Sequence, residues 1–221
     1  MSELITTRFK KSIKSPSEGR VLKPGSNNKK LGFGITAMKW RGKKLYSLTL
    51  TERDTCPKSC HHWDDCYGNN MPFAHRFKTE GLEAKLRLEI DLLMAENTKG
   101  IVVRLHVLGD FYSVGYVEFW ASMLQRWPKR LAVFGYTARE PHTAIGKRIA
   151  DVGQAYPYSW VIRHSKSQEY EGTSLIGTRY AASEEFEGDC FTCPEQTGKL
   201  DSCADCGLCW SVTKTVKFLT H

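Results

Sequence analysis

The sequence holds no apolar run near the roughly 18 residues that a membrane-spanning helix needs, so no spanning segment is expected in these 221 residues. Residues 1–30 lack the charged, apolar and small-residue order of a secretory leader, which sets the expectation of a cytoplasmic protein with reduced thiols. Neither Thr197-Gly198-Lys199 nor Ile145-Gly146-Lys147 has the glycine spacing of a phosphate loop, and there is no H-E-x-x-H or calcium loop. Solenoid repeats are absent as well. Excess charge of one sign is scarce outside one segment. Of the net +8, residues 1–30 carry +6 and the remainder only +2, which excludes a body evenly coated for nucleic acid. The reading is a basic flexible arm over 1–30, capable at most of weak, salt-sensitive phosphate contact, and one domain over 31–221.

Within that domain, short β-like runs alternate with helical periodicity. Leu45 to Thr51 reads as a strand, a cysteine-bearing loop follows, and a helix runs from about Phe73 to Glu96 on the recurrence of Leu82, Leu86, Ile90 and Leu93. Ile101 to Leu108 is the next strand and Tyr116 to Trp127 the next helix, closed by Pro128. Strands over Leu131 to Tyr136 and Ser159 to Arg163 flank a helical Thr143 to Ala155. Repeated strand, loop and helix predict an α/β fold, a partial (βα) barrel of the TIM kind, with an open doubly wound sheet as the runner-up.

Eight cysteines fall in two groups, Cys56, Cys60 and Cys66 in one and Cys190, Cys193, Cys203, Cys206 and Cys209 in the other. Structural cysteines scatter along strands and helices, whereas these crowd into stretches rich in Pro, Gly, Asp and His, the setting of metal ligands. Zinc and iron–sulfur clusters both take thiolates. The intervals of three and five residues in the first group, and C-x2-C-x2-C from Cys203 to Cys209, favour one or two [4Fe–4S] clusters. Three cysteines leave one iron of a cluster open to water, substrate or cofactor, unless His61, His62, Asp64 or a distant cysteine fills the place.

On the strand Ile101 to Leu108, alternation puts Val103, Leu105 and Val107 on one face and Arg104, His106 and Asp110 on the other or just past its end. Polar groups there need partners, so Arg104, His106, Asp110 and Arg139 are the candidates for positioning a substrate. A structural salt-bridge network among Arg104, His106 and Asp110 is the alternative. Trp120, Trp127, Trp160, Phe119 and Tyr136 read as core.

The segments CPKSCHHWDDCYG (Cys56 to Gly68), VRLHVLGDFYS (Val103 to Ser113), GYTAR (Gly135 to Arg139) and CPEQTGKLDSCADCGLCW (Cys193 to Trp210) resemble the phage gene product 88 family. The resemblance covers the chain from about residue 32 and implies a bacteriophage protein working in the infected bacterial cell. A more distant likeness to radical S-adenosylmethionine enzymes implies a partial barrel with redox or radical chemistry. It makes Cys56, Cys60 and Cys66 the ligands of an open cluster and S-adenosylmethionine the cofactor such a cluster would chelate. The second interval is five residues where those enzymes usually have two. Cys193, Cys203, Cys206 and Cys209 match the C-terminal motif, and Cys190 stands outside it. The rival class is a nucleic-acid or host-factor binding module in which a cluster or zinc only staples the fold.

Overall fold

Ser113 and Thr143 take extended backbone and accept hydrogen bonds from Tyr116 N at 3.0 Å and Gly146 N at 3.1 Å, satisfying a donor that a helix start leaves free. The two helices they begin are therefore where the sequence puts them. The computed structural model of the chain describes residues 7–166, 173–179 and 190–219. Its elements are β1 (Ile13–Lys14), β2 (Lys23–Pro24), β3 (Lys44–Ser47), β4 (Arg76–Phe77), α1 (Leu82–Glu96), β5 (Ile101–Leu105), α2 (Val114–Arg126) and β6 (Leu131–Thr137). There follow α3 (Ala144–Ala155), β7 (Trp160–Lys166), β8 (Thr173–Arg179), β9 (Cys190–Thr192), α4 (Cys203–Cys206), α5 (Leu208–Ser211) and β10 (Thr215–Leu219).

Eight strands form one mixed sheet in the order β2-β3-β5-β6-β7-β8-β10-β9, and β1 pairs with β4 apart from it. The middle strands β3, β5, β6 and β7 are parallel, as strands joined through crossover helices must be. β2 is antiparallel to β3, and β8 is antiparallel to both β7 and β10. The protein is thus α/β with a mixed sheet. No pairing joins β2 to β9 among the described residues, so the sheet does not close into a barrel.

The two sheet faces are covered differently. Tyr46, Val103, Leu105, Val133 and Ile162 are buried beneath the helices, in one cluster with Leu86 and Ile90 of α1, Trp120 of α2 and Ile149 of α3. The opposite face presents Leu45, Val102, Ala132 and Phe134 to Trp40, Ala204 and Trp210, and the Trp40 and Trp210 rings stack at 5.3 Å. A doubly wound sheet carries helices on both faces; here the second face carries the cysteine-rich C-terminal segment. At the amino ends of the parallel strands, buried Lys43 donates to the carbonyls of Lys99, Lys129 and Arg130 at 3.2, 2.5 and 2.8 Å. At the other end Gly135 faces Leu105 so closely that a Cβ would collide with the Leu105 carbonyl oxygen.

Three expectations need correction. The first helix begins at Leu82 and not near Phe73, which is 93% exposed, because Arg76 and Phe77 leave the helical path to pair with β1. The strand expected over Leu45 to Thr51 ends at Ser47, after which Leu48 and Leu50 pair irregularly with Arg104, Val107 and Leu108. The predicted flexible arm is laid on the body over residues 7–30, while 1–6 lie outside the described residues. Val21 and Leu22 are fully buried, and their N–H groups donate to the two carboxylate oxygens of Glu89 at 2.8 Å each. Two apolar residues and one carboxylate outweigh the basic composition around them, and Arg8, Lys10, Lys11, Arg20 and Lys29 stay exposed.

Glu89→Ala leaves both buried N–H groups without an acceptor and should cost roughly 2–5 kcal/mol. Denaturant unfolding measures the loss, and hydrogen exchange at Val21 and Leu22 should speed up before global unfolding. Unchanged protection at those two amides would contradict the anchor.

Candidate metal centre

The loop after β3 is fixed at both ends before it presents its cysteines. Ahead of Cys56, Thr55 donates from Oγ1 to Thr51 O at 2.7 Å and accepts from Asp110 N at 3.1 Å, and Arg139 donates to Thr55 O at 2.6 Å. After Cys66, Arg76 donates to the carbonyls of Gly68, Met71 and Ala74 at 2.8–3.0 Å. The same guanidinium, wholly buried, reaches both oxygens of buried Glu52 at 3.0 and 2.8 Å and Ser12 Oγ at 2.9 Å. Arg53 spans the interior of the loop, donating to Trp63 O and Asn69 Oδ1. Gly109, at φ 83°, lets the next loop approach, since a Cβ there would lie 2.6 Å from Thr55 Oγ1.

Between these anchors Cys56, Cys60 and Cys66, all half-buried, line a cleft of about 530 Å³. Arg104, His106, Asp110 and Tyr136 share its wall. The cleft lies at the carboxyl ends of the parallel strands, where α/β folds place ligands. Burial raises the Cys56 thiol well above its ordinary pKa, and the Asp110 carboxylate and the neighbouring thiols of Cys60 and Cys66 add to it. Burial is also the leading cause of the raised values at Cys60 and Cys66. Thiolates there need a cation beside them, which a bound metal supplies while its binding releases the protons.

The second group lines a separate hollow. Cys193, Cys203, Cys206 and Cys209 surround a hollow of about 10 Å³ with Pro194, Leu208 and Trp210. α4 is capped by Ser202 and ended by Gly207 at φ 67°, so Cys203 and Cys206 fall one turn apart and α5 brings in Cys209. Cys203 N and Ala204 N donate to the carbonyls of Lys30 and Leu31, and Cys193 N to Lys217 O, which holds the hollow to the body from two sides. Burial pushes the Cys203 thiol up to about 12, with Cys209 adding and Arg104 opposing. Tyr136 donates its hydroxyl to Cys209 Sγ at 3.0 Å, and Arg163 donates to the carbonyls of Cys209, Val212 and Lys214 at 2.6–2.9 Å. Four thiols with a donor beside one of them suit a thiolate-ligated metal group. Among the described residues no three His, Cys, Asp or Glu side chains are drawn together as ligands of one ion.

The candidates for substrate positioning separate in the structure. Arg104 lines the cleft with its guanidinium 5.7 Å from the Phe134 ring centroid and 5.4 Å from that of Tyr136. Asp110 borders the cleft but its carboxylate is spent inward, on Phe111 N at 2.7 Å, Thr137 Oγ1 at 2.6 Å and Ala138 N at 2.8 Å; burial still raises its pKa to about 6. Arg139 is a strut between loops, donating to Phe111 O at 2.7 Å as well as to Thr55. His106 does not share a face with Arg104. β5 ends at Leu105, and the His106 ring turns toward the helices, with Nε2 3.1 Å from Tyr116 Oη and Phe111 edge-on at 5.0 Å. No salt bridge joins Arg104, His106 and Asp110 among the described residues. Val107, expected on the same face as Val103 and Leu105, contacts the opposite cluster for the same reason.

His61 and Asp64 are exposed outside the cleft, whereas His62 lines it 3.1 Å from Asp65. Cys190 sits in β9 opposite Thr215 and lines neither cavity. Trp120 and Trp160 are core as expected, but Tyr136 is not: it belongs to the cleft wall and also donates to Cys209 of the second cysteine group. Its place in GYTAR was the available signal, masked by the apolar strand before it. Nothing in the sequence marked Glu52 and Arg76 as partners. Comparison of the chain with family models, with curated proteins and with solved structures finds no match in any of the three.

Arg76→Met strips Glu52 of its partner and frees three carbonyls, and should destabilise the fold by about 3–5 kcal/mol. Restoring stability with Glu52→Gln in the same chain would confirm that an unpaired buried carboxylate is the cause, and a loss below 1 kcal/mol for Arg76→Met would contradict it. His106 gives a separate test. Burial, helped by Arg104, lowers its pKa to about 3 from 6.5. Between those values the unfolded chain binds a proton that the folded one refuses, so stability falls as pH drops through this window. His106→Gln should flatten the dependence of unfolding free energy between pH 6.5 and 5, by up to about 1.4 kcal/mol per pH unit. A slope equal to wild type would show that this imidazole is not held neutral.

Proposed function

We propose that this chain is an iron–sulfur protein with two separate thiolate centres, and that it carries out redox or radical chemistry on a molecule held in the cleft. The observation that carries the reading is the placement of Cys56, Cys60 and Cys66 on the wall of a ligand-sized cavity at the carboxyl ends of parallel strands. Those three would hold a cluster on the cleft side. Cys193, Cys203, Cys206 and Cys209 would hold the second, and the C-x2-C-x2-C run fits such a site. A [4Fe–4S] cluster, when bound, supplies one-electron chemistry. Of the protein's own groups, Arg104 faces the cleft as a positioning residue, while Asp110 and Arg139 set the loops around it.

We read the four parallel strands, with the crossover helices α1, α2 and α3 on one face only, as the arc of an incomplete (βα) barrel. This agrees with the likeness to the phage gene product 88 family and with work in the cytoplasm of an infected bacterium. It also makes S-adenosylmethionine the cofactor to test at the three-cysteine centre. A second reading has one observation in its favour. The C-terminal hollow has room for a water or a single ion, which suits zinc and a stapled binding module, with the exposed lysines and arginines of residues 7–30 reaching phosphates.

Anaerobic purification with metal and acid-labile sulfide analysis decides between them. The expected result is iron with sulfide in wild type, and loss of about half of it both in Cys56→Ser and in Cys203→Ser. Paramagnetic resonance of the reduced protein should change on adding S-adenosylmethionine in Cys203→Ser and not in Cys56→Ser. Zinc without sulfide would overturn the iron–sulfur reading. Iron that disappears entirely in either variant would overturn the separation into two centres.

A further inference from the structure

The charged groups around the cleft are matched one by one, with a single exception. Glu52 is taken by Arg76, Lys30 pairs with Glu195 at 3.0 Å, Asp65 sits against His62, and Asp110 is held by three donors. Arg104 has no carboxylate and no hydrogen-bond acceptor among the described residues, and its Nε is sealed from solvent without a partner. The rings of Phe134 and Tyr136 attract the charge but accept none of its in-plane N–H groups. A guanidinium never deprotonates, and a half-buried one without an anion is costly. Close by, His106 Nδ1 is also buried without a partner.

We propose that the cleft binds a small anionic molecule whose carboxylate or phosphate is seated on Arg104. A planar fork of donors suits a two-oxygen anion, and about 530 Å³ lies within the range of metabolite and cofactor sites. The inference goes beyond the iron–sulfur reading, because no carboxylate of the described residues pairs with Arg104 and its Nε has no acceptor. The competing use of the charge is to offset thiolates at Cys203 and Cys209, both of which feel Arg104.

Equilibrium dialysis of the full chain, purified anaerobically, separates these uses. Pyrophosphate stands for the phosphate class and succinate for the carboxylate class, at constant ionic strength, with metal and sulfide measured on the same samples. We expect saturable one-to-one binding of at least one probe, and which of them binds identifies the class. Arg104→Gln should weaken it roughly tenfold or more, a change expected for a charge-assisted pair. Arg104→Lys, which keeps the charge and the fold but loses the fork, should weaken it less, and Lys30→Gln should leave it within about twofold. The proposal is overturned if neither probe saturates with wild type, or if binding survives Arg104→Gln. It is equally overturned if Arg104→Gln sheds the metal of the C-terminal centre, which would give the charge to the thiolates. Because binding and metal content are read separately, absence of iron would sink the reading of the cysteines and leave the anion result standing on its own.

Discussion

The buried pair of Arg76 and Glu52 is the interaction on which the site depends. Its guanidinium collects Glu52 from before the cysteine loop, three carbonyls from after it and Ser12 from the N-terminal segment. A charge placed at zero exposure is tolerable only when every donor is used, and here nearly every use ties one stretch of chain to another. The long excursion from Ser47 to Arg76 contains little regular structure, so its shape follows from this one cation more than from backbone pairing. The cysteines inherit their position from that arrangement.

A second constraint is the unequal covering of the sheet. Helices take one face with ordinary apolar packing, whereas the other face is closed by the C-terminal segment through Trp40, Trp210 and Phe134. The four-cysteine hollow therefore belongs to the packing of the domain, with Cys203 and Ala204 in the same apolar cluster as the strands. The three-cysteine loop is different. It is secured by polar contacts at its ends and leaves its thiols toward open space. One set of cysteines is built into the wall and the other faces the cavity, a division that their spacing along the chain does not reveal.

Much of the central fold was legible in the sequence because local signals agree with the tertiary structure there. Ser113 and Thr143 start helices, Pro128 follows the end of one, β6 is a largely apolar run of strand length and β7 opens on three apolar residues. Where a distant partner decides, the sequence reading failed. Phe73 to Phe77 has helical composition but is drawn aside by Arg76, and residues 7–30 look like a solvated arm until Glu89 supplies acceptors for Val21 and Leu22. For the site, clustering gathered all eight cysteines into two groups, and only the resemblance set apart Cys190, which lines neither cavity. The reading of Arg104, His106 and Asp110 as one polar face assumed that alternation continues past Leu105, where β5 ends. Tyr136 escaped notice because a strand tyrosine among apolar neighbours looks the same whether its hydroxyl meets a thiol or a carbonyl.

Tyr136 has only one hydroxyl proton, and Cys209 Sγ receives it. Burial and the nearby thiol keep the phenol protonated, so its oxygen can offer the cleft nothing but lone pairs. The state of a sulfur in one chamber thereby fixes the hydrogen-bond sense of a wall in the other: an occupant that touches Tyr136 must arrive as a donor, while the neighbouring guanidinium asks of the same occupant an acceptor.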